Sequence, residues 1–304
     1  MNKICYLDDN IALGQCYASR NYSDLKEKIL SQPYTKENYV LMDGERFGFE
    51  ITPNIPLTKL YQFPCYVVKF VFSSVQTLHD EQQETIMRQV AEKLADCMNR
   101  EKGYYDIRVP THIVDLIKAI NYECGNLLLC GGTVEEIHVG KVVPPVLQEG
   151  MRLFFAEKTF VEKNRKKLEQ LAYDSFKSYQ GQYHISPVTD KKAGEIYSSW
   201  IASYFDSFSP NTVLIAEYKG EIVGYCTIRE TEQAVDAVLS SVDASKRQLG
   251  TYKAMISTLI AYAKKREKLF VTSTQFDNYI VQGTWNSLGL RPFYSIYNMH
   301  YDNR

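Results

Sequence analysis

The sequence predicts an α/β (α+β) protein with a mixed central sheet, built in two parts. Three observations predict it. From Leu239 to Ile256 an apolar, β-prone run breaks at a polar loop through Arg247 and Gly250, then enters a proline-free helix with apolar spacing. The second half reads β, α, α, β, β, β, α, β, α, β, an order that mixes hairpins with strand–helix–strand crossovers. Part of that order recurs in the first half, as a degenerate copy.

Bulk composition narrows the class. At 304 residues the chain has room for two domains. A content of 45% hydrophobic and 23% charged residues supports a packed core over disorder. Lys+Arg 35 against Asp+Glu 36 leaves a net charge of −1, which gives no reason to expect a nucleic-acid or anionic-membrane partner. The cysteine count, 7, is odd and lacks any C-x-x-C pair, so neither a metal site nor a disulfide framework is indicated. Asp8 and Asp9 stand where a signal peptide needs an apolar core. No apolar run nears the roughly 20 residues of a membrane-spanning helix. The expectation is a soluble, cytoplasmic protein with thiols kept reduced.

Each element has its own warrant. The first 40 or so residues mix short helical patterns with turns. Residues 59–73 are aromatic and β-branched and read as strand. Residues 80–102 read as helix, since Ile86, Val90, Leu94 and Met98 recur at i+4. A strand over 104–109 and a helix started by Pro110 and Thr111 follow, and 126–139 reads as a strand pair turning at Gly131–Gly132. The stretch 140–150 holds two prolines and two glycines and marks a domain boundary, giving parts 1–145 and 146–304. Beyond it come a strand at 151–156, a helix at 160–176, a polar loop at 178–189 and a helix at 191–204. Strands at 212–218 and 221–229 join at Lys219–Gly220, a tight-hairpin signal. The alternating strand 234–242, the loop, the helix 251–266 and the strand 269–274 complete the centre. Asn278 to Leu288 reads as a helix ended by Gly289, and 291–301 as a strand pair or one long strand.

The turn at Gly250 carries the first chemical reading. Backbone N–H groups and the positive end of a helix converge there, which suits a phosphate or pyrophosphate. The matching approach in the first half, Leu78-His-Asp-Glu-Gln-Gln-Glu, is acidic and hostile to phosphate.

Residues 151–304 resemble the GNAT acyltransferase superfamily. Within it they look like TDP-fucosamine acetyltransferases and related acyltransferases of amino-sugar nucleotides. The likeness is carried by Val213-Leu-Ile-Ala-Glu-Tyr-Lys-Gly-Glu-Ile-Val-Gly-Tyr, Arg247-Gln-Leu-Gly-Thr-Tyr252 and Thr272-Ser-Thr-Gln-Phe-Asp-Asn278. The segments Val281-Gln-Gly-Thr-Trp285 and Tyr294-Ser-Ile-Tyr-Asn-Met-His300 extend it. The first half is similar to the smaller N-terminal domain of those enzymes, a partial GNAT-like copy, with Phe47-Gly48-Phe49 at a matching place.

The resemblance implies acetyl-CoA as donor and a nucleotide-linked amino sugar as acceptor, in surface polysaccharide (lipopolysaccharide) biosynthesis. It implies a cofactor site along Leu239, Ser240, Ser241 and Val242, then Arg247, Gln248, Leu249, Gly250, Thr251 and Tyr252, with Asn278 and Trp285. Tyr252 departs from the family's small last residue, so its ring must point away from the phosphates or pack beside them. A backbone N–H near Ser240 would hold the developing oxyanion. The plain alternative there is an ordinary central strand.

Asn278 also suits a helix N-cap. Trp285 occupies the place of a family tyrosine that serves as general acid, a role an indole cannot fill. It would instead pack on the CoA arm or the sugar, and Tyr252, Tyr297 and Tyr301 are the alternative acids. Glu230, Asp236 and His300 are candidate bases for the acceptor amine. Gln182, Tyr183 and His184 would overhang the acceptor, or form an exposed loop. Two other functions stay open: a GNAT enzyme for a protein N-terminus, polyamine or drug, and a non-catalytic CoA-binding module. A homodimer is compatible with all of these.

Overall fold

A computed structural model describes residues 5–6, 38–42, 44–72, 80–209, 212–232 and 234–304. Most of the first 40 residues, and Ser73, lie outside them. The chain forms two units, unit 1 being Met1–Val134 with Phe293–Arg304, and unit 2 Glu135–Pro292. This division differs from the expected cut after residue 145. The end of the strand Leu128–His138 already belongs to unit 2, and most of the last strand belongs to unit 1.

Unit 1 contains β1 (Cys5–Tyr6), β2 (Tyr39–Met42), β3 (Glu45–Pro53), α1 (Ile55–Tyr61), β4 (Cys65–Phe72), α2 (Asp80–Arg100), β5 (Tyr104–Pro110), α3 (Val114–Cys124) and the start of β6 (Leu128–His138). The last strand, β12 (Leu290–Asp302), pairs antiparallel with β5 from Ile296↔Pro110 to Asp302↔Tyr104. Strand β4 is antiparallel to β3 and parallel to β5. One sheet face packs on α2 and α3 through Ile86, Val90, Leu94 and Met98, with Leu116 and Ile120, all buried. The i+4 stripe read from the sequence is therefore this core seam.

Two readings in unit 1 change. Residues 55–61 are helical, which removes 59–61 from the strand expected over 59–73, because the Asn54 side chain accepts the Leu57 N–H and Pro56 stands in the first turn. The strand begins only after Pro64. Residues 128–138 form one strand rather than a pair, with Gly131 and Gly132 inside it and Cys130 and Ile137 buried on its two halves.

Unit 2 continues with β7 (Met151–Phe155), α4 (Lys158–Phe176), α5 (Gln182–Ile185), α6 (Ala193–Asp206), β8 (Val213–Tyr218), β9 (Glu221–Glu230) and β10 (Ala234–Val242). A 3-10 turn at Ala244–Leu249 leads to α7 (Thr251–Lys265), β11 (Leu269–Gln275) and α8 (Tyr279–Ser287). The strand order is β7-β8-β9-β10-β11 and then the end of β6. The β8–β9 hairpin turns at Lys219 and Gly220, both at positive φ (51° and 84°), the geometry of a type I′ turn. Helix α7 buries Met255, Ile256, Leu259, Ile260 and Ala263 on one face of this sheet. Each of the Met, Ile and Leu side chains contributes about 1.5–3 kcal/mol by burial. Helix α4 lies on the opposite face, where Ser241 of β10 donates to the Leu171 carbonyl. The β12 segment is one continuous strand.

Candidate active site

The site begins with an irregularity in β10. Its antiparallel register with β9 shifts between Ala237 and Leu239, so Val238 is an extra residue on that strand. Its parallel ladder with β11 runs from Ala234↔Leu269 to Ala237↔Thr272 and stops there. The Thr272 hydroxyl closes the ladder by donating to the Ala237 carbonyl at 2.9 Å. Beyond this point β10 and β11 remain strands but diverge.

Alternation then decides what lines the opening. The Leu239 N–H donates to Thr227 Oγ1 on β9 at 3.1 Å, and the Asp243 N–H donates to the Val223 carbonyl at 2.8 Å. Residues 239, 241 and 243 thus turn their backbone toward β9. Ser240 and Val242 turn theirs toward the opening. An N–H at Ser240 that points away from β9, past the end of the β11 ladder, is suited to a developing oxyanion. The Ser240 hydroxyl itself donates to Cys226 Sγ at 3.1 Å.

The turn that follows is built by Asp243, whose carboxylate accepts from the N–H and hydroxyl of Ser245 at 2.9 and 2.8 Å. Those bonds hold the Asp243 carboxyl below the usual range, against burial and with help from Lys167 and Lys246. Gly250 closes the 3-10 turn at φ 70° and is also the N-cap of α7, which no side chain caps. The N–H groups of Thr251, Tyr252 and Lys253 have no acceptor within the helix. A Cβ added at Gly250 would meet nothing within 4 Å, so space is open at the glycine itself. A cleft of about 180 Å³ beside the turn is lined by Lys167, Leu171, Asp174, Ser175, Asp243 and Arg247. The donor set fits a pyrophosphate: backbone N–H groups, nearby cations and no acid in the first turn of α7.

Several expected site residues do other work. The Tyr252 ring does point away from the turn, and its hydroxyl accepts the Trp285 indole N–H at 2.9 Å. Trp285 is 1% exposed and packs in the α7–α8 core, so packing on a ligand gives way to an internal role. Asn278 is at the N-cap position of α8 but makes no cap bond. Its amide donates to Thr274 Oγ1 at 2.9 Å instead. Ser241 spends its side chain on α4, through Leu171 and Ser175. Gln248 is exposed and Leu249 half-buried, while Thr251 is fully buried.

Gln182, Tyr183 and His184 form the short helix α5 rather than an open loop, and Gln182 and Tyr183 are buried. His184 Nδ1 lies 3.3 Å from Asp190. Tyr183 meets Tyr197 edge-on, and Tyr197 stacks between Phe176 and Trp200 with centroids 3.9 and 5.9 Å away.

His300 and Tyr297 belong to unit 1. His300 is 2% exposed, with Nδ1 2.5 Å from the Tyr104 hydroxyl, and burial holds its imidazole below the ordinary range. Tyr297 packs on the unit 1 core. Of the other base candidates, Glu230 is taken up by Lys268, Tyr262 and Arg266. These outweigh burial and hold its carboxyl below the usual range. Asp236 is 4% exposed, two residues before the extra Val238, and pairs with Arg229 at 2.9 Å.

Sequence reading missed Thr227, Tyr204 and Tyr179. Thr227 Oγ1 fixes Leu239 at the bulge, and the Tyr204 hydroxyl reaches Thr227 from α6. Tyr179 bonds Asn278 and Thr274, and burial, then the charge of Asp277, pushes it up to about 12. The continuous buried run of β9, residues 222–228, marks Thr227 as an inward polar residue, but nothing local marks the tyrosines.

Residues 169–290 match the acetyltransferase (GNAT) family model. The matched segment holds the divergence, the glycine turn and α8, and it leaves out Tyr297 and His300. Among solved structures, a GCN5-related N-acetyltransferase from Sphaerobacter thermophilus aligns with TM-score 0.60 at 13% identity, over 96% of this chain and 91% of that one. A GNAT-family acetyltransferase from Colwellia psychrerythraea gives 0.53 at 9%, over 97% and 98%. A tandem GNAT protein from the clavulanic acid biosynthesis pathway, without acetyl-CoA, gives 0.54 at 9%, over 99% and 98%. At such identities the likeness establishes the fold, a GNAT acetyltransferase fold along nearly the whole chain. No curated protein matches the sequence. Among the described residues no helix is long and apolar enough to cross a membrane.

Proposed function

We propose that unit 2 is an acetyl-CoA-dependent N-acetyltransferase whose acceptor is the amine of a nucleotide-linked amino sugar. The observation that carries the donor is the combination of a strand divergence with an uncapped helix start at Gly250. The α7 N–H groups, with Lys246 and Arg247, would hold the pyrophosphate, and the backbone of Ser240 and Val242 would pair with the pantetheine arm. Acetyl-CoA supplies an activated acetyl thioester. Ser240 N–H would stabilise the oxyanion. Asp236 is the best-placed base, because it is buried beside the bulge, within the influence of Tyr204 and on the α4–α6 side of the sheet. Phe176, Tyr197 and Trp200 supply a stacked aromatic wall on that side. The sugar assignment rests on the resemblance of Thr272–Asn278 and Val281–Trp285 to amino-sugar acyltransferases.

The test is calorimetry with acetyl-CoA, followed by thiol release with TDP- and UDP-amino sugars, polyamines and peptide N-termini. Release with the nucleotide sugars is expected. Release only with another amine would replace the acceptor, and no binding of acetyl-CoA would remove the donor.

A further inference from the structure

The opening past Ala237 and Thr272 has two lips, and one stretch of chain is tied to both. On the β10 lip the Ser241 hydroxyl donates to the Leu171 carbonyl at 3.1 Å and meets the Ser175 hydroxyl at 2.5 Å, which fixes the last turns of α4 there. On the β11 lip the Asn278 amide donates to Thr274 Oγ1 at 2.9 Å, and the Tyr179 hydroxyl hydrogen-bonds to both side chains. Tyr179 follows Ser175 by one helical turn, roughly 6 Å along the chain. Its N–H still donates to the Phe176 carbonyl at 3.0 Å. The segment from Leu171 to Tyr179 is therefore a strap across the opening, on the α4 face of the sheet.

The Tyr179 ring is held on its flanks as well as at its hydroxyl. Phe176 meets it edge-on, with centroids 5.9 Å apart, and Phe176 itself stacks on Tyr197. A Cβ added at Gly181 would come within 2.7 Å of a Tyr179 ring carbon, so the ring lies against that glycine's backbone. Two other ways out of the opening are filled. At its apex the Thr272 hydroxyl joins the Ala237 carbonyl, and both residues are buried. On the α7 side the Ser240 hydroxyl rests on Cys226, and Cys226, Met255 and Trp285 are packed in one core. The direction toward α4 leads under the strap that carries Tyr179.

We infer that Tyr179, fastened to Thr274 and Asn278 across the opening, limits the donor's acyl group to acetyl size. This rests on the acetyl-transfer reading above. A donor whose pyrophosphate sits at Gly250 runs back along Val242 and Ser240, so its acyl end faces the apex. Each methylene beyond acetyl must turn toward α4 and lift the phenol away from Thr274 and Asn278. That costs two hydrogen bonds and the edge contact with Phe176. With the Tyr179 ring gone, Phe176 would line the vacated space, an apolar surface suited to an aliphatic tail. Tyr179 acts through its size and position, not through its proton.

The experiment measures by calorimetry the binding of free CoA, acetyl-CoA, butyryl-CoA and hexanoyl-CoA to wild type, Tyr179→Ala, Tyr179→Phe and Thr274→Val. The readout is the affinity for each longer acyl-CoA relative to acetyl-CoA in the same protein, which a uniform loss of stability does not move. Wild type should bind butyryl-CoA about 100-fold more weakly than acetyl-CoA, the scale on which a pocket refuses one or two methylenes. In Y179A the difference should shrink to about fivefold or less, and hexanoyl-CoA should bind no worse than butyryl-CoA, since the tail reaches apolar surface. Y179F and T274V keep the ring but loosen its fastening, so the difference should fall to about tenfold. The two together should match Y179F, because both act on one contact. Equal binding of acetyl-CoA and butyryl-CoA by wild type, or a Y179A variant in which every acyl-CoA weakens alike, would overturn the inference and leave the donor reading standing. A wild type that binds neither free CoA nor any acyl-CoA would remove the donor reading itself, and the size limit with it.

Discussion

The two units share a device and use it differently. In each, a strand held antiparallel on one side begins a parallel ladder on the other and then leaves it. In unit 1 the β4–β5 ladder runs from Cys65↔Tyr104 to Lys69↔Arg108 and ends before Phe72. In unit 2 the β10–β11 ladder ends at Ala237↔Thr272. Yet β4 keeps an unbroken register with β3 from Phe47↔Phe72 to Pro53↔Tyr66, whereas β10 carries the extra Val238. The β4 edge exposed by divergence is taken by β1, through Cys5↔Phe72 and Tyr6↔Val71. The β10 edge instead runs into Asp243, the 3-10 turn and the uncapped α7. Divergence alone is thus a property of the fold. The bulge and the glycine turn are what set unit 2 apart, and on the proposed function they are what would receive an anionic, thioester-bearing ligand.

The largest effect should come from filling the space over that turn. Gly250→Trp places a ring where the pyrophosphate is expected and forces an L-residue to φ 70°, a strain of about 1–2 kcal/mol. Acetyl-CoA should bind about 100-fold more weakly, or about 2.8 kcal/mol, with a native circular dichroism spectrum. Unchanged affinity by calorimetry would reduce the turn to a connector and leave the two units equivalent.

Next in size is the opposite test, in unit 1. His300→Ala strips a buried partner from the Tyr104 hydroxyl and opens space beside Asp106. A loss of about 2–4 kcal/mol in urea unfolding is expected, with acetyl-CoA affinity unaltered. The pH dependence has a definite sign. The folded imidazole is depressed, so the unfolded chain takes its proton first as pH falls. Stability should be flat above about 6.5 and decline below it. His300→Gln should flatten that decline. A sloping loss of acetyl-CoA affinity in either variant would return His300 to the list of site residues.

Third is the bulge itself. Thr227 Oγ1 receives the Leu239 N–H and donates to the Leu239 carbonyl at 3.3 Å. Thr227→Val keeps the shape and leaves that buried N–H without an acceptor, at about 1–3 kcal/mol. Because β4 has no counterpart, the cost should fall on unit 2, and hydrogen exchange at Leu239 and Ser240 should quicken. Exchange unchanged at those amides would mean the bulge is held by the sheet and not by Thr227.

These contrasts explain what the sequence made legible. The glycine turn, the hairpin at Lys219–Gly220 and the apolar stripe of α2 are local patterns, and each stands where the pattern placed it. The helix at 55–61 escaped because its signal is a cap and a proline in the first turn, set against a β-prone composition. Trp285 and Tyr252 were both noticed as departures, but their hydrogen bond joins positions on different helices. The end of β6, where Glu136 is 1% exposed, was invisible for a stronger reason: it joins unit 2 through strand order, a fact of topology that no spacing encodes. His300 is the reverse case: the stretch Val281–His300, continuous in sequence, is divided at Phe293.

The smallest effect separates the turn's architecture from its charge. Asp243 caps the 3-10 turn through Ser245, and removing a cap of this kind costs about 0.5–2 kcal/mol. Asp243→Asn keeps an acceptor for Ser245 while removing a negative charge beside Lys167, Lys246 and the proposed path of a pyrophosphate. Asp243→Ala removes both. If the turn binds an anion, the asparagine variant should bind acetyl-CoA up to threefold more tightly and melt as the wild type does. The alanine variant should gain nothing, because the lost charge is offset by a looser turn. The gain in D243N should fade as salt rises, since exposed charges several ångströms apart are screened over about 10 Å at 0.1 M. A D243N gain that persists at high salt would mean that the turn has changed shape, and the electrostatic half of the contrast between the two units would fall.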